Sequence, residues 1–173
     1  MRITGCFLLI LFFYSCNTPR VMVDYDQQVN FEKYESLRLY EDMATGLNQL
    51  DEARLLAAIE NVVAGEELRL SEDAGLLLNV YSEAFRERSD SRLGIGIGGG
   101  GGNVGVGVSG GIPVGGMTTV LRLTFDLIDA TNESLVWQAV VEAPFDLDAS
   151  PEQRRKRLHE MVEKAFKAYP PKR

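Results

Sequence analysis

Apolar and polar residues alternate along several segments of the chain, with the period of a β-strand that buries one face. The clearest segment is 119–129, where Leu121, Leu123, Phe125 and Leu127 alternate with polar residues. The continuous apolar run 76–78 is typical of a strand buried on both faces. The pattern predicts five main strands, at 21–25, 36–40, 75–85, 119–129 and 135–143.

Two other segments carry apolar residues at spacings of three and four, which is the period of a helix with one buried face. The first begins after Asn48 or Asp51, either of which could cap it, and Gly65 is expected to end it. The second begins at Ser150-Pro151-Glu152-Gln153, which matches a capping box with proline in the first turn, and Pro170 ends it. The apolar positions are Leu55, Leu56, Ile59, Val62 and Val63 in the first helix, and Leu158, Met161, Val162, Ala165, Phe166 and Tyr169 in the second.

The order of these elements is β-β-α-β-β-β-α, and short connections join the later strands. This order favours an α+β fold, with an antiparallel sheet and two helices packed on one face. Three smaller features complete the prediction. Residues 30–34 tuck two aromatic side chains under the sheet, residues 66–73 contain a short extended piece around Leu68 and Leu70, and residues 130–134 form a hairpin loop.

The N-terminus has a different pattern, with Arg2 followed by an apolar run from Phe7 to Tyr14 that ends on Ser15-Cys16. This layout resembles a bacterial lipoprotein signal, which is cut before a cysteine that then carries lipid. An ordinary secretory signal is the alternative, and about 20 apolar residues would be needed for a spanning helix. We expect a signal peptide at 1–15, a lipidated Cys16 with a short linker at 16–20, and a single domain at 21–173.

Removing residues 1–15 from the 173-residue chain leaves 158 residues, enough for one domain with a sizeable core. The leader holds one basic and no acidic residue, so 17 Lys and Arg remain against 25 Asp and Glu, a net charge of −8. Such an acidic chain lacks the electrostatic signature of a nucleic-acid-binding protein. Cys6 leaves with the leader and Cys16 would be lipidated, so we expect no disulfide.

The composition also bounds the chemistry. His159 is the only histidine, and it lies among charged residues in a helical pattern, where a surface position is expected. No clustered ligands for zinc or another transition metal are present, and we expect neither a metal nor a catalytic triad.

Residues 94–116 hold 13 of the 17 glycines. Four overlapping matches to G-x-G-x-x-G occur here, but both flanks are predicted strands and no helix follows, so we expect no nucleotide or other cofactor. Ile95, Ile97, Val104, Val106 and Val108 alternate with other residues within this Gly-rich insertion. A surface loop, an ordered hairpin and an element that binds a partner or touches the membrane all remain open.

Two kinds of charged cluster are candidates for a site. The acidic pairs Asp24/Asp26 and Asp126/Asp129 have residue types suited to acid–base catalysis, but nothing in the sequence supplies a cleft or divergent pKa values. The basic run 154–157 could contact anionic lipid headgroups or form an ordinary solvated helix face. We therefore predict no catalytic residues.

Several short motifs resemble, in order, envelope lipoproteins of Gram-negative bacteria that carry the domain of unknown function 4136. They are Val23-Asp24-Tyr25-Asp26 with Asn30-Phe31 and Tyr34, the helix that ends near Gly65, the strand 76–81, the glycine tract, Leu135-Val136-Trp137, and Tyr169-Pro170-Pro171. The family commonly has glycine shortly after the tryptophan, where this chain has Ala139. The resemblance supplies no catalytic residues.

We expect a lipid-anchored lipoprotein of the outer membrane that faces the periplasm and has a non-catalytic binding or structural role. Its expected partners are the membrane, through the N-terminal lipid, and an envelope protein. No small-molecule substrate is indicated. An envelope hydrolase with an acidic cleft, or a subunit of an envelope assembly machine, is the alternative.

Overall fold

A computed structural model describes residues 18–65, 68–88, 92–93, 112–113 and 116–171. The strands are β1 (Arg20–Tyr25), β2 (Ser36–Leu39), β3 (Arg69–Leu70), β4 (Leu76–Arg88), β5 (Arg92–Leu93), β6 (Ile112–Pro113), β7 (Met117–Asp129) and β8 (Leu135–Pro144). The helices are α1 (Gln49–Val63) and α2 (Pro151–Phe166), and Phe31–Lys33 form one short 3-10 helix.

Six strands form one sheet in the order β1-β8-β7-β4-β2-β3. The neighbouring pairs β1/β8, β8/β7 and β7/β4 are antiparallel. The prediction of an α+β fold is confirmed, but the expected purely antiparallel sheet is wrong, because β2 pairs in parallel with both β4 and β3. From β2 the chain passes through α1 and β3 before it enters β4. A crossover of this kind lets two strands run in the same direction.

The central strands β4, β7 and β8 hold most of the sheet together. Leu76, Leu77 and Leu78 are all buried, as the continuous apolar run predicts. In β7 the predicted apolar face is buried, and Arg122 and Asp126 lie on the other side. Thr124 shares that other side and yet is buried; its cross-strand neighbours are Tyr81 and Val140.

Both helices begin at the predicted positions. Asn48 caps α1 by accepting from the backbone N–H groups of Leu50 and Asp51. In α2, Ser150 and Gln153 form the reciprocal capping box, which satisfies N–H groups that have no partner within the helix. Helix α1 ends at Val63 with Ala64 as its C-cap, so it stops just before Gly65, as predicted. The expected reason is wrong, because Gly65 does not take a left-handed conformation.

The core lies between the helices and one face of the sheet, and aromatic rings close one end of it. Phe166 of α2 contacts Phe125 and Trp137, with ring centroids 6.2 and 6.3 Å away. Phe31 and Tyr34 are buried beside this group, which confirms the tucked aromatics predicted at 30–34. The opposite face of the sheet carries no helix within the described ranges, so we call it the open face.

Candidate functional site

Cys16, the one site residue expected from the sequence, lies outside the described residues, and its lipidation stays a prediction. The described chain begins two residues later, at Thr18, and Pro19 is already buried. Strand β1 starts at Arg20. Only residues 17–19 therefore lie between Cys16 and the first strand of the folded domain.

The acidic pair Asp24 and Asp26 serves the local backbone. Asp24 accepts from the N–H of Tyr25 at 2.9 Å, and Asp26 accepts from the N–H of Gln28 at 2.8 Å. Contacts of this kind shape the turn after a strand. Both residues border a small cavity of about 240 Å³ that also includes Trp137 and Gln138, but both remain exposed.

The second acidic pair is divided by the sheet. Asp126 lies on the open face, where it accepts from Nε2 of Gln138 at 2.8 Å and where burial raises its pKa. Asp129 lies three positions later and therefore on the opposite face. Two carboxylates on opposite faces of a sheet cannot act on one bound substrate, so the arrangement does not form the acid–base pair considered from the sequence.

Asp129 is a buried anchor for the hairpin between β7 and β8. It accepts from the Tyr34 hydroxyl at 2.6 Å, the backbone N–H of Thr131 at 2.8 Å and Nζ of Lys33 at 3.1 Å. These bonds, led by the one from Tyr34, hold the pKa of Asp129 well below its usual range. The contact ties the hairpin to the short 3-10 helix, which precedes it by almost 100 residues.

We expect Asp129→Asn to lower the free energy of unfolding at neutral pH by about 1.5–3 kcal/mol, the range for hydrogen bonds to a charged group. The folded-state pKa lies below the unfolded value of about 3.9. The stabilisation is therefore fully present above that value and is lost as the pH falls through the folded-state pKa. Urea unfolding at pH 7 and pH 3 should show a smaller difference between wild type and variant at the lower pH. A difference that does not change with pH would contradict this role.

Each cation of the basic run at the start of α2 has a carboxylate partner within the protein. Arg155 bonds to Glu152, and Glu160 lies 3.0 Å from Arg157 and 4.0 Å from Lys156. Arg154, the remaining member, bonds to Asp51 of α1. Ion pairs of this kind are typical of a solvated helix face, and a contact of the run with anionic headgroups stays a prediction.

Asp51 is the centre of an ionic cluster that the sequence analysis missed. Its side chain is only 1% exposed, and it contacts Arg154, Arg54 (2.6 Å) and Nδ2 of Asn48 (2.7 Å). The Arg154 guanidinium also lies 5.5 Å from the ring centre of Phe145. The cluster joins the first turn of α1 to the first turn of α2, and so fixes how the two helices pack.

A cavity of about 780 Å³ lies beside this cluster, between the ends of β4 and β7, the loop 145–149 and the first turns of α2. Among the described residues, its charged lining consists of four cationic and three anionic side chains: Arg86, Arg154, Lys156, Arg157, Asp146, Asp148 and Glu160. The cavity is not the acidic cleft that a hydrolase of the kind considered above would need.

The remaining candidates add no chemistry to the described part of the chain. His159 is exposed on α2, as predicted. No group of three metal-ligating residues occurs among the described residues. No helix within the ranges given above is long and apolar enough to cross a membrane.

The Gly-rich insertion lies almost wholly outside the described residues. Arg92 and Leu93 pair with Pro113 and Ile112, so a short antiparallel ladder joins the two chain segments on either side of residues 94–111. The apolar residues from Ile95 to Val108 are not described. The alternatives of loop, hairpin tip and binding element therefore stay open.

Comparison with known proteins identifies a family and a fold. The model of the family described as "Domain of unknown function (DUF4136)" matches residues 21–171. No curated protein matches the chain.

Three solved structures share the fold at low sequence identity. The PelC dodecamer from Paraburkholderia phytofirmans is 13% identical, with 86% of this chain and 95% of that chain covered and a TM-score of 0.51. A single-substitution variant of that PelC dodecamer is 15% identical, with the same coverage and a TM-score of 0.50. A PDZ domain protein from Parabacteroides distasonis is 14% identical, with 90% of this chain but only 37% of that chain covered and a TM-score of 0.52.

Proposed function

Because the chain belongs to the DUF4136 family, whose domain has no assigned function, we propose a role from its own residues. The protein is a lipid-anchored envelope lipoprotein, and the folded domain has a non-catalytic binding or structural role at the membrane surface.

The observation that carries this proposal is the position of Cys16 relative to the fold. An apolar run ends immediately before it, and the folded domain begins at Arg20, after a buried Pro19. Four extended residues span at most about 14 Å. A lipid on Cys16 would therefore hold β1 close to the headgroups.

The non-catalytic role is supported by the way the domain uses its charged groups. The carboxylates of Asp51 and Asp129 bond to side chains of elements that are distant in the sequence. Those of Asp24 and Asp26 accept from nearby backbone N–H groups. Titratable groups that meet in a cleft are the usual mark of an active site. Here the buried carboxylates instead have structural partners.

The proposed location is the outer membrane, with the domain in the periplasm. Asn17 follows the cysteine, and in lipoprotein sorting signals the absence of aspartate at that position favours the outer membrane. The site of the lipid and the location of the protein are separate parts of the proposal.

A second candidate is a subunit of an envelope assembly. It is favoured by two of the three similar solved structures, which are both PelC dodecamers and whose matches cover 86% of this chain. Likeness of fold does not carry function by itself. We therefore include assembly as one form of the structural role.

We expect Cys16→Ser to abolish membrane association, because a lipid needs this thiol. Fractionation of cells that express the full chain tests the proposal: processed Cys16→Ser protein is expected in the soluble fraction, and unprocessed protein, which keeps its apolar leader, is recognised by its higher mass. Cys6→Ser is the matched control, since Cys6 lies within the leader, and it should leave the distribution unchanged. A processed Cys16→Ser protein that remains in the membrane fraction would refute the anchor.

A further inference from the structure

Strand β1 presents an unusually open edge. It lies at one end of the sheet and, among the described strands, pairs on one side only, with β8. Its first five residues are all exposed, and the apolar ones are Val21 (38%), Met22 (53%) and Val23 (37%). An exposed apolar edge is a template for pairing with another strand. At the other end of the sheet, β3 has only two residues, which makes a poor template.

The backbone of β1 determines which residues could pair outward. Asp26 donates its N–H to the carbonyl of Val136 at 3.0 Å. Since alternate residues of an antiparallel strand face the same neighbour, Met22 and Asp24 direct their backbone groups to β8. Val21 and Val23 direct theirs away from the sheet. Among the described residues no strand pairs with that side of β1.

The side chains of β1 show what would fit this edge. Arg20-Val21-Met22-Val23-Asp24 has a cation at one end, three apolar residues and an anion at the other. When two copies of this strand run antiparallel, the cation of each copy can therefore face the anion of the other. Within the part of the chain that the structure describes, neither Arg20 nor Asp24 has an ion-pair partner.

We propose that a second copy of this chain pairs with β1, strand against strand, in an antiparallel contact centred on Met22. Val21 then lies opposite Val23 of the other copy, and Arg20 lies opposite Asp24 at both ends. Opposite charges in facing positions stabilise a strand pair. The two valines supply the outward N–H and C=O groups, so this register satisfies both the backbone and the side chains.

The contact is two-fold symmetric, so it closes on a dimer and extends the sheet through both copies. A register shifted by two residues would also use the valine backbone, but it would place Met22 opposite Asp24. This inference goes beyond the proposed function and does not require the lipid.

Crosslinking tests the register directly. In the full chain, Met22→Cys places two thiols at the centre of the contact. Facing residues of a non-hydrogen-bonded pair have Cα atoms about 4.5 Å apart, within the range that a disulfide spans. Oxidation of cells that express the variant should give a reducible band at twice the monomer mass, whichever fraction holds the protein. Tyr81→Cys is the matched control, because Tyr81 is 39% exposed on the same open face but lies on β4, and it should stay monomeric.

A second pair of variants tests the same register without changing Met22. Arg20→Cys alone should give no dimer, because its two copies would lie roughly 13 Å apart along the strands. Arg20→Cys combined with Asp24→Cys should give the dimer, since each introduced thiol then faces another. Wild type is run beside every variant, so that any disulfide formed by an unlipidated Cys16 is recognised.

Charge reversal tests the specificity of the contact. In the Met22→Cys protein, Asp24→Arg should lower the dimer yield roughly fivefold, because like charges then face each other. Adding Arg20→Asp should restore the yield. Failure of both thiol designs in protein that is folded by circular dichroism would overturn the proposal. Equal crosslinking of Tyr81→Cys, an absence of rescue, or a crosslinked product with the mass of a different protein would do so too.

Discussion

Phe166→Ala lowers the free energy of unfolding by about 3–5 kcal/mol, the usual loss when a buried aromatic side chain is removed. Phe166 is fully buried, and its ring packs against Phe125 and Trp137 of the central strands. It is the residue through which α2 reaches the centre of the sheet. Chemical denaturation followed by circular dichroism measures the loss.

Leu50→Ala is the control for that experiment. It also truncates a large apolar side chain on a helix, but Leu50 is 67% exposed, so a change within about 0.5 kcal/mol is expected. If Phe166→Ala costs less than about 1 kcal/mol, α2 is not docked on the sheet as described.

Asp51→Asn is expected to cost about 3 kcal/mol or more, the range for breaking a buried ion pair by removing one partner. The substitution keeps the shape of the side chain but leaves Arg54 and Arg154 together without their shared anion. Their mutual repulsion would push the first turns of α1 and α2 apart. Urea unfolding at neutral pH measures the effect.

Glu152→Gln is the matched control, because it removes an ion pair from the same turn of α2 in which both partners are exposed. Solvent screens such pairs, and no measurable change is expected. A cycle with Asp51→Asn and Arg154→Leu should show that the double variant loses less than the two single variants together. Simple additivity would mean that the two residues are not coupled.

Much of the fold follows from local patterns in the sequence. The alternation in β7 and the apolar stripe of α2 predict their buried faces, because each period is set by the geometry of its own element. Ser150 and Gln153 mark the start of α2 through bonds that span only three residues. The direction of β2 could not be predicted in this way, because it depends on the crossover through α1.

Among the charged residues, too, contacts between neighbours in the sequence could be predicted and contacts between distant residues could not. Glu152 and Glu160 lie three or four positions from their partners in α2, so helical spacing alone could have indicated these pairs. Likewise, the odd spacing of Asp126 and Asp129 on one strand already separates them. The contact between Asp51 and Arg154 joins residues 103 positions apart, and no local pattern indicates it.

The central claim is that Cys16 is the lipidated N-terminus of the mature protein. The most direct test is mass spectrometry of the N-terminal peptide from protein purified out of the envelope. The account predicts a chain that starts at Cys16, without residues 1–15, and carries the added mass of acyl chains on that residue. A peptide that continues through Ser15 into Cys16, or a mature N-terminus with an unmodified cysteine, would contradict it.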